Sequence, residues 1–351
     1  MHVPDGFINA PVSAVAGVVA AGAIAVSLKG ARRELDERTA PLAGLVAAFI
    51  FAVQMLNFPV AAGTSGHLLG GALAAILVGP FTGVLCVSVV LLMQGILFAD
   101  GGLTALGVNI TDMAITTTVV SYLVFRGLVK VLPRKRRSVT VAAFVSALLS
   151  VPAAAVVFTL IYAIGGTTDV PISKVATAMV GVHILIGIGE AAITALTVGA
   201  VIAVRPDLVY GARGLQQRLK LRVRGELVDV PEPVAVPVAV RTSRRKVWAV
   251  GLVTSLVLAG FVSFYASASP DGLEKVAKDQ GIDKKAQKHA SDDSPLAGYG
   301  VKDVSDARIS GGLAGVIGVG VTIVAGTGVF WAVRRRRSSE TSSPASLPEG
   351  V

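Results

Sequence analysis

Long apolar runs separated by short polar segments dominate the pattern of hydrophobic and polar positions along the chain. A helix needs about 20 apolar residues to cross a hydrocarbon core of ~30 Å. Runs of about this length occur at 8–28, 40–57, 103–125, 139–164, 174–204, 247–266 and 311–333. The pattern therefore predicts an all-α fold, a polytopic bundle of transmembrane helices.

A further apolar stretch, 67–98, can be interpreted as one pass or as two. As one helix it would be about 48 Å long, well beyond the ~30 Å core. As two passes it breaks at Gly79-Pro80. Three basic segments decide between the two interpretations: 126–137, 205–246 and 334–337. Two passes place all three on the side of 29–38, as expected because Lys and Arg concentrate in cytoplasmic loops. The charges thus predict nine transmembrane helices, seven plus two, with the N-terminus outside and the C-terminus inside.

The polar segments also predict how the chain divides. A seven-helix unit, 1–205, is followed by a basic, Pro-rich cytoplasmic linker, 206–246, whose run PEPVAVPVAV is expected to be extended. A two-helix unit, 247–335, contains an outer loop, 267–308. The Ser/Pro-rich tail, 336–351, has the composition of a disordered segment.

The overall composition agrees with a membrane protein. Hydrophobic residues make up 53% of the chain and charged residues 15%, with a mean hydropathy of +0.72; soluble domains carry about 25% charged residues. The net charge of +10 would suggest nucleic-acid binding in a soluble protein, but the basic residues cluster between apolar runs and so indicate topology. The single cysteine, Cys86, lies inside an apolar run and excludes both a disulfide framework and a thiolate metal site.

The N-terminal segment MHVPDGF does not have the pattern of a cleaved signal peptide. It carries Asp5 and no Lys or Arg, and the positive cluster 29–33 follows the apolar run instead of preceding it. We therefore expect Met1 to be retained on the outer side. Pro4-Asp5-Gly6 predicts a turn that directs the chain back toward the membrane.

A retained N-terminus with histidine in second position is a candidate metal chelate. The α-amine, the amide nitrogen of His2 and the His2 imidazole can close five- and six-membered rings on one ion, and both amine and imidazole can be neutral ligands near pH 7. Three coplanar nitrogens suit Ni(II), Cu(II) or Co(II), and His67 could occupy the fourth corner. Histidine at position 2 can equally be an accident of the start-site sequence, so the ligand chemistry alone leaves both interpretations open.

Other polar residues lie within apolar runs. His183 and Glu190 are seven residues apart and share a helix face, as do Asn109 and Asp112. Such residues are functional or paired, and hydrogen bonding between helices is slightly favoured here. His289 lies in a Lys-rich loop and is expected to be solvated.

The segment Gly63-Thr64-Ser65-Gly66 raises an alternative function. GxSG with a histidine on a later helix is the outline of an intramembrane serine protease, in which Ser65 would be the nucleophile and His183 the general base. The motif is weak in a Gly-rich chain, and the oxyanion donors expected on an earlier helix are missing, because the one upstream histidine is His2. The protease remains the second hypothesis.

Four segments of the first unit together resemble a known family: MHVPDGF, NFPVAAGTSGHLLGGALAAILVGP, FADGGLTALGVN and HILIGIGEA. They are similar to the CbiM/NikM-type substrate-specific permeases of energy-coupling-factor importers. The second unit, with Pro270-Asp271-Gly272-Leu273-Glu274 and SPLAGYG, resembles the PDGLE domain, although Gly298 stands where an acidic residue is expected.

This resemblance implies a transporter subunit of a prokaryotic cell membrane that is not an enzyme and binds no nucleic acid. It implies import of Co(II) or Ni(II), for cobalamin biosynthesis or nickel enzymes, with the ion as substrate and no resident cofactor. The implied ligands are the Met1 amine, the His2 amide and imidazole, and the His67 imidazole. Asn57, Ser65, His183 and Glu190 are candidates for supporting or gating roles. The printed chain contains no G-x-x-x-x-G-K-[ST], so partner ATPases acting through a transmembrane coupling subunit are implied.

Overall fold

The computed structural model describes residues 1–35, 39–61, 63–215, 220–223, 226–229 and 244–341. The helices are α1 (Ala10–Glu34), α2 (Ala40–Gln54), α3 (Gly71–Val78), α4 (Pro80–Leu97), α5 (Leu106–Asn109), α6 (Thr117–Val131), α7 (Arg136–Gly165), α8 (Ile172–Val204), α9 (Arg244–Gly260), α10 (Gly272–Gln280) and α11 (Ala307–Thr341). A π-helical turn, Ile110–Thr116, joins α5 to α6. Two antiparallel hairpins pair β1 (Phe58–Ala61) with β2 (Thr64–Gly66) and β3 (Lys220–Val223) with β4 (Glu226–Asp229).

The predicted polytopic helical membrane protein is confirmed, but the number of long spans differs. Among the described residues, seven helices are long and apolar enough to cross a membrane, against nine predicted passes. The other two predicted passes correspond to α2, with 15 residues, and α3, with 8 residues. Apolar run length overestimates both helices, because each run includes extended chain that leads into or out of the hairpin β1–β2.

The stretch 67–98 breaks where the sequence predicted, between α3 and α4. Gly79 has φ +103°, a conformation that glycine adopts without strain, and Pro80 begins α4. The carboxylate of Glu34, the last residue of α1, accepts hydrogen bonds from the Thr82 amide at 2.8 Å and the Thr82 hydroxyl at 2.8 Å. A buried carboxylate thus caps α4 and ties it to the end of α1.

The short α3 is preceded by a buried segment without regular secondary structure, 67–70. The carboxylate of Glu190, on α8, accepts hydrogen bonds from the amides of Leu69 at 2.6 Å and Gly70 at 3.1 Å. Irregular backbone at membrane depth is tolerated where protein surrounds it and satisfies its polar groups. The Glu190 carboxylate satisfies two of these backbone amides and holds the chain directly after His67.

The two-helix unit packs on the first unit. α11 runs along α2, α9 contacts both α2 and α11, and α10 contacts α8 and β2. Phe51 of α2 lies against Gly318 of α11, where a larger residue would collide with its ring. Close approach through small residues is the usual mode of helix packing in lipid. The outer loop between α9 and α11 is thereby held over one end of the first unit.

The linker and the tail are described only in part. Residues 206–208 and 210–215 form short 3₁₀ turns; Val209, between the turns, and Ala212, in the second, are buried. The Pro-rich run predicted to be extended, 231–240, lies outside the described residues. Helix α11 continues to Thr341, past the start of the tail that was predicted to be disordered, and 342–351 lie outside the described residues.

Candidate metal centre

The N-terminal segment lies buried inside the helix bundle, ahead of α1. The Val3 amide donates to Asn109 Oδ1 at 2.7 Å, and Asn109 Nδ2 donates to the Val3 carbonyl at 3.1 Å. The Gly102 amide donates to the same carbonyl at 2.9 Å. Val3 is fully buried. Asn109 therefore acts as a peptide mimic that fixes the register of the segment and places Met1 and His2 inside the protein.

The predicted turn at Pro4-Asp5-Gly6 is present and holds the segment at its other end. The Asp5 carboxylate accepts from the Thr104 amide at 2.8 Å and the Thr104 hydroxyl at 2.5 Å. The Asp5 carbonyl accepts from the Gln287 amide of the outer loop at 2.9 Å. These bonds anchor the N-terminal segment to both units.

Three residues that the sequence predicted as ligands lie together in this structure. The Met1 amine nitrogen is 2.7 Å from His67 Nε2, and the rings of His2 and His67 stack with centroids 5.1 Å apart. Met1, His2 and His67 are all buried. A terminal amine and two imidazoles side by side are nitrogen donors of the kind that binds transition-metal ions.

One imidazole nitrogen of His67 and both of His2 lie close to oxygen atoms of neighbouring residues. His67 Nδ1 lies 3.0 Å from the Leu68 carbonyl, which leaves Nε2 facing the Met1 amine. His2 Nε2 lies 3.0 Å from Gln94 Oε1, and His2 Nδ1 lies 3.3 Å from Asp100 Oδ1. Burial lowers the pKa of His2 to about 4, although the charge of Asp100 opposes that shift. His2 is therefore neutral near pH 7, the form that binds metals.

A fourth residue of the cluster, Asp271, was not predicted from the sequence. Its Oδ2 lies 2.5 Å from the Met1 amine and 3.5 Å from His67 Nε2. Ligand atoms of His2, His67 and Asp271 all fall within 4.8 Å of one another. Burial disfavours the charged carboxylate, but the charge of the Met1 amine and the contacts with His67 hold the pKa of Asp271 well below its usual range.

Asp271 is held in place by the start of α10. Its Oδ1 accepts from the Glu274 amide at 2.8 Å, and the Glu274 side chain accepts from the Asp271 amide at 3.1 Å, forming a capping box. The spacing Asp271-x-x-Glu274 is a recognisable helix-start signature in the sequence. That signature predicts the cap but does not show that the carboxylate also faces residues near the N-terminus.

The supporting candidates have different surroundings. The Ser65 amide donates to the Pro270 carbonyl at 2.8 Å, and the Ser65 hydroxyl donates to the Ser269 carbonyl at 2.7 Å. Ser65 therefore binds the segment that carries Asp271. Glu190 anchors the chain after His67, as described above. Asn57 lies beside the candidate metal centre in the wall of a cavity, and its carbonyl accepts from the Ser267 amide at 2.7 Å.

The contacts of His183 do not support the protease hypothesis. His183 Nδ1 lies 2.7 Å from the Met179 carbonyl, within its own helix, and Nε2 has no hydrogen-bond partner among the described residues. The Ser65 hydroxyl is directed to the backbone of Ser269 instead. The base-to-nucleophile hydrogen bond that activates a serine is absent from the described part of the chain.

His289 is not simply solvated, and that expectation was wrong. Its Nε2 lies 3.1 Å from the Gly101 carbonyl, and its Nδ1 accepts from the Ser291 amide at 2.9 Å. A Lys-rich composition indicated exposure, but the outer loop folds over the Gly101 turn. The contact joins the outer loop to the segment that packs beside His2.

A cavity of about 550 Å³ opens onto the centre between the two units. Three carboxylates line it: Asp100, Asp271 and Glu274. Gly298, which stands where the PDGLE resemblance led us to expect an acidic residue, also lies in its wall, with φ +64°. The Gly298 amide donates to the Phe98 carbonyl at 2.8 Å, so this position contributes backbone and not charge. Arg308 also lines the cavity, but the three carboxylates outnumber it, so the lining favours a cation beside the nitrogen ligands.

Comparisons with known proteins give two family matches and several similar transport proteins. Residues 2–208 match the family model described as the cobalt uptake substrate-specific transmembrane region, CbiM, and residues 245–335 match the PDGLE domain. The cobalt transport protein CbiM of Geobacter sulfurreducens is 33% identical over 218 residues, which cover 60% of this chain and 61% of that protein. The fused nickel transport protein NikMN of Rhodobacter capsulatus is 40% identical over 125 residues, 36% of each chain.

A solved structure is also similar. The crystal structure of a truncated transition metal transporter aligns with a TM-score of 0.51 and 28% sequence identity, covering 58% of this chain and 99% of that one. The family model covers more than half of the printed chain, including the N-terminal segment and the hairpin that carries His67. The chain therefore belongs to the CbiM family of cobalt-uptake substrate-specific transmembrane regions, and it carries a PDGLE domain in its C-terminal part.

Proposed function

We propose that this multi-pass membrane protein is the substrate-capture component of an ATP-driven energy-coupling-factor importer for Co(II) or Ni(II). The proposed ligands are the Met1 amine, the His2 amide nitrogen and imidazole, and the His67 imidazole. The observation that carries the proposal is the 2.7 Å approach of the Met1 amine to His67 Nε2 in a buried pocket that also holds His2.

The donor set suits a borderline first-row ion. Amine and imidazole nitrogens bind Co(II), Ni(II) and Cu(II) well, whereas Mg(II) and Ca(II) prefer oxygen ligands. A chelate built on residues 1 and 2 should also bind an ion more tightly because the N-terminal segment is preorganised. The hydrogen bonds to Asn109 and from Thr104 to Asp5 restrict the ligands before an ion arrives.

We assign the energy source to separate subunits. The printed chain contains no G-x-x-x-x-G-K-[ST] motif for nucleotide phosphates. In this proposal a transmembrane coupling subunit and cytoplasmic ATPases drive release of the ion into the cell. The PDGLE domain covers the capture site from the outer side.

Extension of the N-terminus tests the ligand assignment directly. Adding Gly-Ser-Gly before Met1 converts the amine to an amide and moves the free amine away from His67, in a pocket where Met1 is 2% exposed. We expect the purified full-length chain to lose Co(II) and Ni(II) binding in calorimetric titrations, while the same extension after Val351 leaves binding unchanged. His67→Ala should also abolish binding. Unchanged affinity in the N-terminally extended protein would rule out the amine as a ligand.

A further inference from the structure

The PDGLE domain reaches the candidate metal centre through one side chain, Asp271. We propose that Asp271 is a direct ligand of the transported ion, so that the two units of the chain build the capture site together. This inference rests on the proposed function, since it adds an oxygen donor to the same nitrogen set. It assigns to the PDGLE domain a chemical role in holding the ion.

The spacing of the donor atoms supports one shared ion. Nitrogen and oxygen ligands lie roughly 2.1 Å from a first-row divalent ion, so two ligands at right angles are about 3 Å apart. The Met1 amine is 2.7 Å from His67 Nε2 and 2.5 Å from Asp271 Oδ2, and Asp271 Oδ2 is 3.5 Å from His67 Nε2. The three atoms therefore have the mutual separations of neighbouring corners in one coordination sphere.

The charge of a buried ion supports the same assignment. The amine and the two imidazoles are neutral when they bind, and the His2 amide nitrogen binds as an anion after losing its proton. The nitrogen ligands therefore offset only one of the two positive charges of a divalent ion, in a pocket where Met1 and His67 are buried. Burying an unpaired charge is strongly unfavourable. The Asp271 carboxylate contacts two of the three proposed ligand residues, Met1 and His67, and can offset the remaining charge.

The backbone around Asp271 presents the carboxylate as a fixed donor. One oxygen, Oδ1, caps α10, which leaves Oδ2 directed at the centre. Ser65 holds the preceding residues through two hydrogen bonds to backbone carbonyls. The following residue, Gly272, packs against Ile186 and His183 of α8. A ligand fixed on both sides needs little ordering when the ion binds.

The arrangement also gives Ser65 a positioning function. It lies two residues before His67 on the hairpin strand β2 and binds the residues just before Asp271. The hairpin thereby sets the distance between a ligand from the first unit and a ligand from the second. Movement of the outer loop away from β2 would withdraw the carboxylate and leave the nitrogen ligands in place.

Asp271→Asn in the full-length chain tests the inference, with Asp279→Asn as the matched control. Asn retains the shape and the helix-capping ability of Asp, whereas Asp279 is an exposed residue of the same helix, paired with Lys275. We expect Asp271→Asn to weaken Ni(II) and Co(II) binding about tenfold or more in titrations with the metal alone, and to shift the ligand-field bands of bound Co(II). Asp279→Asn should match the wild type. Asp271→Ser, which keeps a cap but cannot reach the centre, should weaken binding at least as much.

The failure of this inference is distinguishable from failure of the proposed function. If His67→Ala abolishes binding but Asp271→Asn binds as well as the wild type or more tightly, Asp271 is only a counter-ion of the Met1 amine. If the wild type binds neither ion, the proposed function fails. A crystal structure of the Ni(II)-loaded wild type needs no variant: a distance from Asp271 Oδ2 to the ion near 2.1 Å supports ligation, and one above about 3 Å overturns it.

Discussion

Glu34 and Glu190 are both buried carboxylates that accept hydrogen bonds from backbone amides at the start of an apolar helix. Glu34 binds Phe81 and Thr82 where α4 begins, and Glu190 binds Leu69 and Gly70 where α3 begins. The two ends of the bundle are thus held by the same device. The two carboxylates differ in their neighbours. Glu190 fixes the chain directly after His67, whereas Glu34 lies at the opposite end of α1 from the N-terminal segment.

The difference shows why a buried acid is not by itself evidence of a functional site. Both carboxylates are costly to bury, and both are compensated by amides that would otherwise lack partners. The proposed function rests instead on the neighbouring side chains: candidate nitrogen ligands lie beside Glu190, whereas Glu34 lies at a junction between two helices.

The largest effect, all or none, is expected from labelling the two ends in intact cells. Lys285 lies in the outer loop at the metal end and Lys135 precedes α7 at the other, and both are exposed. The positive clusters predict that Lys285→Cys reacts with an impermeant thiol reagent and Lys135→Cys does not. The native Cys86 is buried, so its background should be low. Protection of position 285 together with labelling of position 135 would reverse the predicted orientation.

An intermediate effect is expected when either carboxylate is replaced by an amide in a single substitution. Glu190→Gln weakens the hold on Leu69 and Gly70 and loosens His67, so metal affinity should fall about tenfold. Glu34→Gln should leave metal affinity unchanged, because its contacts are with α4. Both variants should lower the free energy of unfolding by about 1–3 kcal/mol, since each weakens hydrogen bonds to a charged acceptor. Equal metal affinities in the two variants would remove the proposed link between Glu190 and the centre.

The smallest effect is expected at Ser65. Ser65→Ala removes the hydroxyl that donates to the Ser269 carbonyl but keeps the backbone bond to Pro270, so about 1 kcal/mol of docking energy is lost. Metal uptake in cells should fall less than tenfold. The same variant tests the protease hypothesis: cleavage of a transmembrane substrate by the purified protein, abolished by Ser65→Ala, would favour a nucleophilic serine over a capture site.

Much of the fold follows from local sequence. Apolar run length and the basic clusters predict most of the helices, because a helix in lipid must be long, apolar and flanked by charge on a fixed side. The break at Gly79-Pro80 is likewise local, since both residues terminate or start helices through their own backbone restrictions. The ligand candidates Met1, His2 and His67 also came from local chemistry, strengthened by the family resemblance.

The sequence by itself determined most of the helical segments, the break at Gly79-Pro80 in the longest apolar stretch and the nitrogen groups that can chelate an ion. Only the tertiary structure decided that α3 is short and that the Glu190 carboxylate accepts hydrogen bonds from the amides just before it. It also decided that Asp271 contacts the Met1 amine, 270 residues away in sequence. Periodicity and motif spacing report on neighbours within a few turns of chain. A contact between the first residue and the PDGLE segment depends instead on how α9 and α11 pack on α2, which no local pattern encodes.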